Sequence, residues 1–585
     1  MIVRVVPDVS GVDKVFDYRV PEAMVERIRL GDVVRVPLNG RSVAGWVIDV
    51  LGDTESEHRD KLLDVGKWSS RGPGADVLDL AQWAAGRYFG RLRSLLTSAS
   101  PERNVSVVPA ARHGRLAEAH VAERDAQTLE AIGAGGSTML VRGPCYDLTR
   151  VVGAAASMGP VVVVMPTQSR ARGLAAASRK MGLTTALYPQ EWQAAAAGVD
   201  VVVGARAAVW ASVPRASSIL VVDEHDEALQ EERMPTWNAR DVAIERGRRR
   251  GVPVLLVSSV PSAAGVKACE RILSLDDEKW AAQWPRVVVV DRSTDERFGA
   301  NLLSSEAIEA LRNPRRRVAL VLNTKGRARL IACGNCRRVV RCPACDGPYA
   351  MDDASQLVCS RCSTSRPAVC AECGSMKMAL IRQGVARLQE DVARAAGVEM
   401  TEVMMVSATT TSDEMVHGSR LLVGTEAVLH RARDLDDVVI LDVDAELLAP
   451  RYRAAEAAMT LIARAAWAVS RSSNSPRVII HTRDATHPAL RAFGDLGVKG
   501  FVDYTLEQRR TLGLPPFSAM VELSGEGVDR VEANLRSDLL VDVARVDGER
   551  LLVRAASDDQ LDESLRAAGV SASGDLRVAR DPLRA

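Results

Sequence analysis

Residues 160–166 read PVVVVMP, 199–204 VDVVVG, 217–224 SSILVVDE and 252–259 VPVLLVSS. Each is a short, continuous apolar run, and each is separated from the next by an alanine-rich stretch of helical character. Strands whose two faces are both covered by crossover helices look like this, because neither face needs polar residues. The four runs, with TMLV at 138–141, therefore predict a parallel α/β sheet. A second set repeats the pattern: RVALVLN (317–323), MTEVMMVS (400–407), SRLLVGT (419–425), DVVILDVD (437–444) and PRVIIHT (476–482). Two α/β lobes in tandem follow, over residues 136–290 and 291–500.

Outward from the lobes the pattern changes. Residues 1–105 alternate apolar and polar positions, as in KVFDYRV, DVVRVPL and VAGWVIDV, which reads as a β-rich domain. Residues 106–135 form a polar, proline-containing linker or the remnant of a winged-helix module, long enough to uncouple its neighbours. Residues 501–585 read as a small α+β domain. The expected fold class is thus multidomain α/β, with a β-rich N-terminal domain, two tandem lobes and a C-terminal α+β domain. At 585 residues and 47% hydrophobic, the chain has ample material for several cores, and wholesale disorder is excluded. No run approaches the roughly 18 apolar residues of a membrane span. The start, MIVRVVPDVS, lacks the basic and apolar regions of a signal peptide, so a cytoplasmic protein with no membrane partner is expected. With 76 basic and 75 acidic residues, no global field draws the chain to nucleic acid, and any affinity must be local.

Eight of the ten cysteines lie between 333 and 373 as four Cys-x-x-Cys pairs: Cys333/Cys336, Cys342/Cys345, Cys359/Cys362 and Cys370/Cys373. Each pair sets two thiolates on one knuckle, and two knuckles make the tetrahedral sulfur set of structural zinc. Disulfides are disfavoured in a reducing compartment, and a redox site needs one such pair, not four. Intervals of 5, 13 and 7 residues separate successive pairs. The longest suits a hairpin returning to one ion, so nested pairing is favoured, with two structural Zn²⁺ in an insert at 333–373 of the second lobe. With four cysteines per ion, neither site has an open position for catalysis.

KVFDYRVPE (14–22), VVVGARAAVW (201–210), VVDEHDEAL (221–229), VSSVPS (257–262), LNTKGRARLIACGNC (322–336), LLVGTEAV (421–428) and RRTLGLPPF (509–517) occur in this order. Together they resemble the bacterial primosomal protein N-prime (PriA) family of replication-restart proteins, along nearly the whole chain. The resemblance implies an N-terminal domain for the 3′ end of a nascent strand, two RecA-like helicase lobes, a two-zinc insert in the second, and a C-terminal domain. It also implies that Phe16, Asp17, Asn39 or Gly40, and Lys61 line the 3′-end pocket. Phe can stack a base, Asp can accept from a 3′ hydroxyl, and Lys can meet a phosphate. Taken alone, Phe16 reads equally as a strand core residue.

The departures from the family concern the motor. A P-loop needs a glycine-rich cradle, a Lys for the β and γ phosphates and a Ser/Thr for Mg²⁺. Here residues 143–150 read GPCYDLTR, so Gly143 remains and the Gly-Lys-Thr is gone. None of the nine lysines precedes a Ser or Thr, so no displaced copy exists. The family's arginine-finger motif corresponds to RAAWAVSR (464–471), with Ala468 at the finger and Trp467 replacing a glycine. Asp223 and Glu224 survive from the acidic motif and read as helix-capping acids once no phosphate is held. Basic runs at 248–250 and 315–317 are candidates for DNA phosphates or for solvated faces. The expectation is a protein that binds branched DNA and nascent 3′ ends at stalled or collapsed forks. It would promote primosome assembly with the helicase loader and replicative helicase, without helicase activity of its own, ATP and Mg²⁺ being doubtful. The alternative is an active ATP-dependent 3′ to 5′ helicase. Fork-stimulated ATPase activity separates them.

Overall fold

The computed structural model describes residues 1–583 apart from 13, 52–61, 122, 294–301, 324–330, 337, 346, 353–355, 360–361, 381–384, 408–409, 411–412 and 572–575. Two compact units emerge. The first joins Met1–Leu140, Asp147–Ser274 and Arg509–Pro582; the second joins Val141–Tyr146 to Leu275–Gln508.

The first unit opens with a five-stranded antiparallel sheet, in the order Phe16–Arg19, Ile2–Pro7, Arg41–Leu51, Val33–Leu38, Lys67–Ser70. Backbone bonds from Arg19 to Leu63 and from Val65 to Arg19 carry the first edge strand towards the last, giving the sheet a barrel-like closure. Val3, Val5, Val34, Val36, Val47 and Trp68 fill its interior at alternate positions. The seven-stranded sheet that follows holds the apolar runs, in the order Arg271–Leu273, Ser137–Val141, Val254–Ser258, Ser218–Val222, Val161–Val164, Val201–Gly204, Thr185–Tyr188. The central runs are buried at every residue, as their lack of polar alternation requires.

The segment after residue 105 is anchored rather than loose. Asp200 accepts the Gly114 amide at 2.7 Å and lies 3.0 Å from the His113 ring, and Arg112 and Ala117 donate to the Gly198 and Met181 carbonyls. One buried-edge carboxylate thus ties down a stretch whose composition suggested an uncoupled linker. Residues 118–121 and 126–134 are helical. The helix Gly497–Thr511 runs through the expected boundary at residue 501, and the four-stranded antiparallel C-terminal sheet begins at Ala519. Its core takes in Phe89 from the N-terminal region, and its Val578 carbonyl accepts from Thr236 Oγ1 at 2.7 Å.

The second unit is built on a six-stranded parallel sheet, in the order Arg286–Asp291, Arg477–Thr482, Asp437–Ile440, Val318–Val321, Leu421–Gly424, Val403–Val406. The cysteine insert leaves it as two small antiparallel sheets, Ile331–Cys333 with Met378–Leu380, and Tyr349–Met351 with Gln356–Cys359 and Ser365–Pro367.

Candidate metal centres and nucleic-acid interface

The cysteines gather as two sets, Cys333, Cys336, Cys370 and Cys373, and Cys342, Cys345, Cys359 and Cys362, each with all sulfurs within 4.8 Å of one another. The pairing is nested, because the strand pair Ile331–Cys333/Met378–Leu380 closes the outer set and the hairpin Tyr349–Cys359 closes the inner one. Sulfurs of the outer set lie 3.5 Å apart across Cys333–Cys373 and Cys336–Cys370, and the inner set matches this. A tetrahedral ion with bonds of about 2.3 Å would require edges near 3.8 Å, so both sets fit a metal with slight expansion. The surroundings favour thiolate at Cys333, Cys342, Cys362 and Cys373, whereas burial first pushes Cys336 and Cys345 up to about 12. Amides of Asn335 and Cys336 donate to Cys333 Sγ at 3.3 and 3.4 Å, and Thr364 Oγ1 lies 3.1 Å from Cys362 Sγ. Hydrogen bonding from Thr364 holds the Cys362 thiol down to about 6, and the Ser375 amide does the same for Cys373. Among the described residues, the apolar cluster of the insert takes in Ile331, Val340, Tyr349 and Leu357 beside the cysteines, with Ala368 and Met378 packed against it. That is too small a core to fold alone, so the metal sites would supply the missing free energy.

In the N-terminal sheet, Phe16 pairs with Val5 and packs against the core, while Asp17 pairs with Arg4 and meets its Nε at 3.2 Å. Neighbours in a strand face opposite ways, so the two side chains diverge. Asn39 and Gly40, with φ of 49° and 75°, are the two-residue turn between Leu38 and Arg41. Both need the left-handed region, which is why Asn-Gly stands there. Val47 lies opposite Val5, six residues from Arg41 along one strand. The turn is thus on the order of 20 Å further along the strand direction than Phe16. Lys61 lies outside the described residues.

The acidic motif sits at the end of strand Ser218–Val222. Asp223, at φ 50°, is ion-paired with Arg170. Glu224 is fully buried and accepts the amide and hydroxyl of Ser262 at 2.7 and 2.8 Å, with Arg240 3.5 Å away. Ser262 in turn caps the helix Ala263–Ala268. Both acids therefore have internal partners.

In the second unit, Gly143 donates its amide to Gln283 Oε1 at 2.7 Å, and Cys145 donates to the Gln283 carbonyl at 3.1 Å. A Cβ on Gly143 would come within 2.4 Å of Gln283 Cβ. The amides that a phosphate cradle would leave free thus point at protein. Asp147, by itself in the first unit, caps the helix Leu148–Ser157 through Thr149. At the finger helix Ala454–Val469, Ala468 is buried, Arg433 stacks 3.7 Å over Trp467, and Arg464 is ion-paired with Glu426. Sequence alone could not foresee Gln283, Arg170 or Arg240 in these roles, because each comes from a distant segment. The basic runs also have partners within the protein: Arg248 and Arg249 bind Glu245, Arg249 binds Asp79, Arg316 binds Asp437, and Arg317 donates to the Ser419 and Arg433 carbonyls.

A family model described as the 3′DNA-binding domain (3′BD) of PriA matches residues 4–101, which take in the five-stranded sheet from Arg4 onward and the two helices that follow it. The replication restart protein PriA of Bacillus subtilis is 27% identical over 59% of this chain and 46% of its own length. The probable replication restart protein PriA of Mycobacterium tuberculosis is 27% identical over 93% of this chain and 89% of its own. The chain is thus similar to PriA replication restart proteins, with a PriA 3′DNA-binding domain at residues 4–101. It spans about half the length of the first PriA relatives that it matches, while the mycobacterial PriA aligns almost end to end. The 3′DNA-binding domain match coincides with the N-terminal sheet, and the two parallel α/β sheets and the insert carrying two four-cysteine clusters lie beyond it. Among the described residues no helix is long and apolar enough to cross a membrane.

Proposed function

We propose that this chain is a replication-restart protein of the cytoplasm that binds branched DNA at stalled or collapsed forks and engages a nascent 3′ end through its N-terminal sheet. On this reading it promotes primosome assembly and loading of the replicative helicase through a helicase loader, and it does not unwind DNA itself. The observation that carries the reading is a contrast within one chain. The 3′ DNA-binding domain is matched over 4–101, while both acids of the motor motif are held by internal partners and the remaining P-loop glycine is packed against Gln283. A motor needs a held phosphate, Mg²⁺ and a finger charge at once, and the finger alone is worth ~10³ to 10⁵ in rate in related hydrolases. The two cysteine clusters would each hold Zn²⁺, whose role is to order the insert.

The second reading, an ATP-dependent 3′ to 5′ helicase, is favoured by the survival of Asp223 and Glu224 at a strand end. An ATP-binding titration and a hydrolysis assay with fork DNA and Mg²⁺ separate the two. No hydrolysis above background is expected. Fork-stimulated hydrolysis that vanishes in Glu224→Gln would falsify the non-catalytic reading. For the 3′-end pocket, Asp17→Ala is expected to weaken forks with a nascent 3′ end far more than plain duplex, since a phosphate contact alone carries no information about ends. Equal loss on both would remove Asp17 from the pocket.

A further inference from the structure

The N-terminal sheet carries a second organised feature, on its other edge strand. Trp68, on strand Lys67–Ser70, is a platform for two arginines: the Arg27 guanidinium carbon lies 3.6 Å from the ring centre and that of Arg71 5.3 Å from it. The platform is fixed from beneath by Asp32, whose side chain is 3% exposed. One oxygen, Asp32 Oδ2, accepts from Trp68 Nε1 at 2.9 Å, Arg71 Nη1 at 2.7 Å and the Arg29 amide at 3.1 Å. Arg71 Nη1 also donates to the Arg27 carbonyl at 3.0 Å, which brings the two arginine segments together.

Asp32 pairs with Arg71 alone, so the two guanidiniums around one indole leave about one positive charge at a fixed place. Burial disfavours the Asp32 charge, and the hydrogen bonds from Trp68 and Arg71 oppose that effect. Asp32 is therefore committed to Trp68, Arg71 and the backbone, while Arg27 is exposed and its guanidinium carbon sits 3.6 Å over the indole. A stacked guanidinium keeps its N–H donors in its own plane, directed away from the ring, in the fork that matches two phosphate oxygens. Stacking also removes rotamer freedom that a free surface arginine would lose on binding.

We infer that Arg27, with Arg71 beside it, forms a phosphate-binding point for the DNA backbone that is independent of the 3′ end. The strand bearing Phe16 and Asp17 reads the end of the nascent strand; the Arg27 platform holds a backbone phosphodiester and so sets the orientation of the duplex on the sheet. This rests on the N-terminal domain binding DNA as proposed above.

The test uses the full-length protein and three DNAs: a fork with a nascent 3′ hydroxyl, the same fork with that end blocked by a 3′ phosphate, and a closed dumbbell duplex without ends. Dissociation constants are measured from 50 to 200 mM salt for the wild type, Arg27→Gln and Arg27→Lys. Glutamine keeps a planar group for the indole but removes the charge. Arg27→Gln is expected to weaken all three DNAs by a common factor, roughly threefold to tenfold, and to lower the slope of log K against log salt by about 0.9. Arg27→Lys should restore the slope and only part of the affinity, since lysine is a point charge without the fork. Unchanged affinity and slope in Arg27→Gln, with an unaltered unfolding midpoint, would overturn the inference. So would a loss confined to the 3′-hydroxyl fork, which would make Arg27 part of the end pocket, or a loss with no change in slope. A wild type that binds none of the three DNAs would instead sink the reading of the domain, so the two failures are distinct.

Discussion

Glu224 and Ser262 are joined twice: the buried carboxylate accepts the Ser262 amide at 2.7 Å and its hydroxyl at 2.8 Å. The same hydroxyl accepts the Gly265 amide at 2.9 Å, so an acid of the motor motif is locked to the start of a neighbouring helix. Arg240, also buried, lies within 3.5 Å and balances the charge. A carboxylate held this way is fixed in place, and its removal is felt by the fold.

Glu224→Ala is accordingly expected to destabilise the protein by about 1–3 kcal/mol, because it leaves the buried Ser262 amide and hydroxyl without their acceptor, while Arg240 keeps Asp241 at 2.8 Å. Ser262→Ala should cost less, about 1–2 kcal/mol, the value of a helix cap. Urea unfolding followed by circular dichroism reads both. A Glu224→Ala midpoint equal to that of the wild type would show that the pair carries no stability.

Gly143→Ala tests the packed loop. In a phosphate cradle the substitution would act on nucleotide binding; here the new Cβ meets Gln283 Cβ at 2.4 Å and its carbonyl oxygen at 2.7 Å. The expected outcome is a loss of about 1–3 kcal/mol of stability, as for overpacking in a core. Gln283→Ala in the same background should recover little, because the backbone carbonyl remains in contact. Thermal unfolding of the two variants settles the order.

Metal analysis of the purified protein should give two Zn²⁺ per chain. Cys342→Ser is expected to release one ion and leave the Cys333, Cys336, Cys370 and Cys373 site loaded, since the clusters share no ligand. Cys333→Ser should do the converse. Acidification should release both ions, because each ligand must be deprotonated to bind. Loss of both ions in Cys342→Ser would contradict independent clusters.

In the second unit Asp442 is pushed up to about 7 from its ordinary 3.8, by burial first and by Asp444 next. Asp444 accepts from Thr482 Oγ1 at 2.6 Å and from the Arg483 amide at 2.8 Å, so it is the better placed of the two to hold the charge. An acid with a raised pKa binds its proton more tightly in the folded state. Its contribution to stability is therefore full below about pH 4 and is lost as pH rises towards 7. Asp442→Asn should remove this fall, so that the variant gains on the wild type at pH 8 relative to pH 5. A parallel pH dependence of the two proteins, measured by urea unfolding, would show that Asp442 does not titrate in this range.

How much of this was legible in sequence depends on how local each signal is. The runs at 161–164, 201–204, 218–222 and 254–258 are strands because a peptide covered on both faces must be apolar throughout, and that rule acts within a few residues. The cysteine spacing predicts nested pairing for a similar reason, since chain length limits which knuckles can face each other. The structure gives the identity of Asn39 and Gly40 a backbone cause, the positive φ of a two-residue turn. The missing Gly-Lys-Thr is likewise a fact of sequence.

What replaced it is not. Gln283 against Gly143, Arg170 against Asp223, Arg240 against Glu224 and Asp200 against the 112–114 segment join residues that are far apart in the chain. Partners of this kind are selected by the close approach of distant segments after the sheets have formed, and one sequence carries no periodicity that marks them. The divergence of Phe16 and Asp17 follows from strand alternation, but only the register against Val5 and Arg4 decides which of them faces the core. The sequence by itself determined the elements, the metal-binding set and the loss of the nucleotide motif. Tertiary structure alone decided that the surviving acids are neutralised within the fold and that Arg27 and Arg71 share one indole, because charge pairing and stacking act over a few ångströms between groups that only folding brings together.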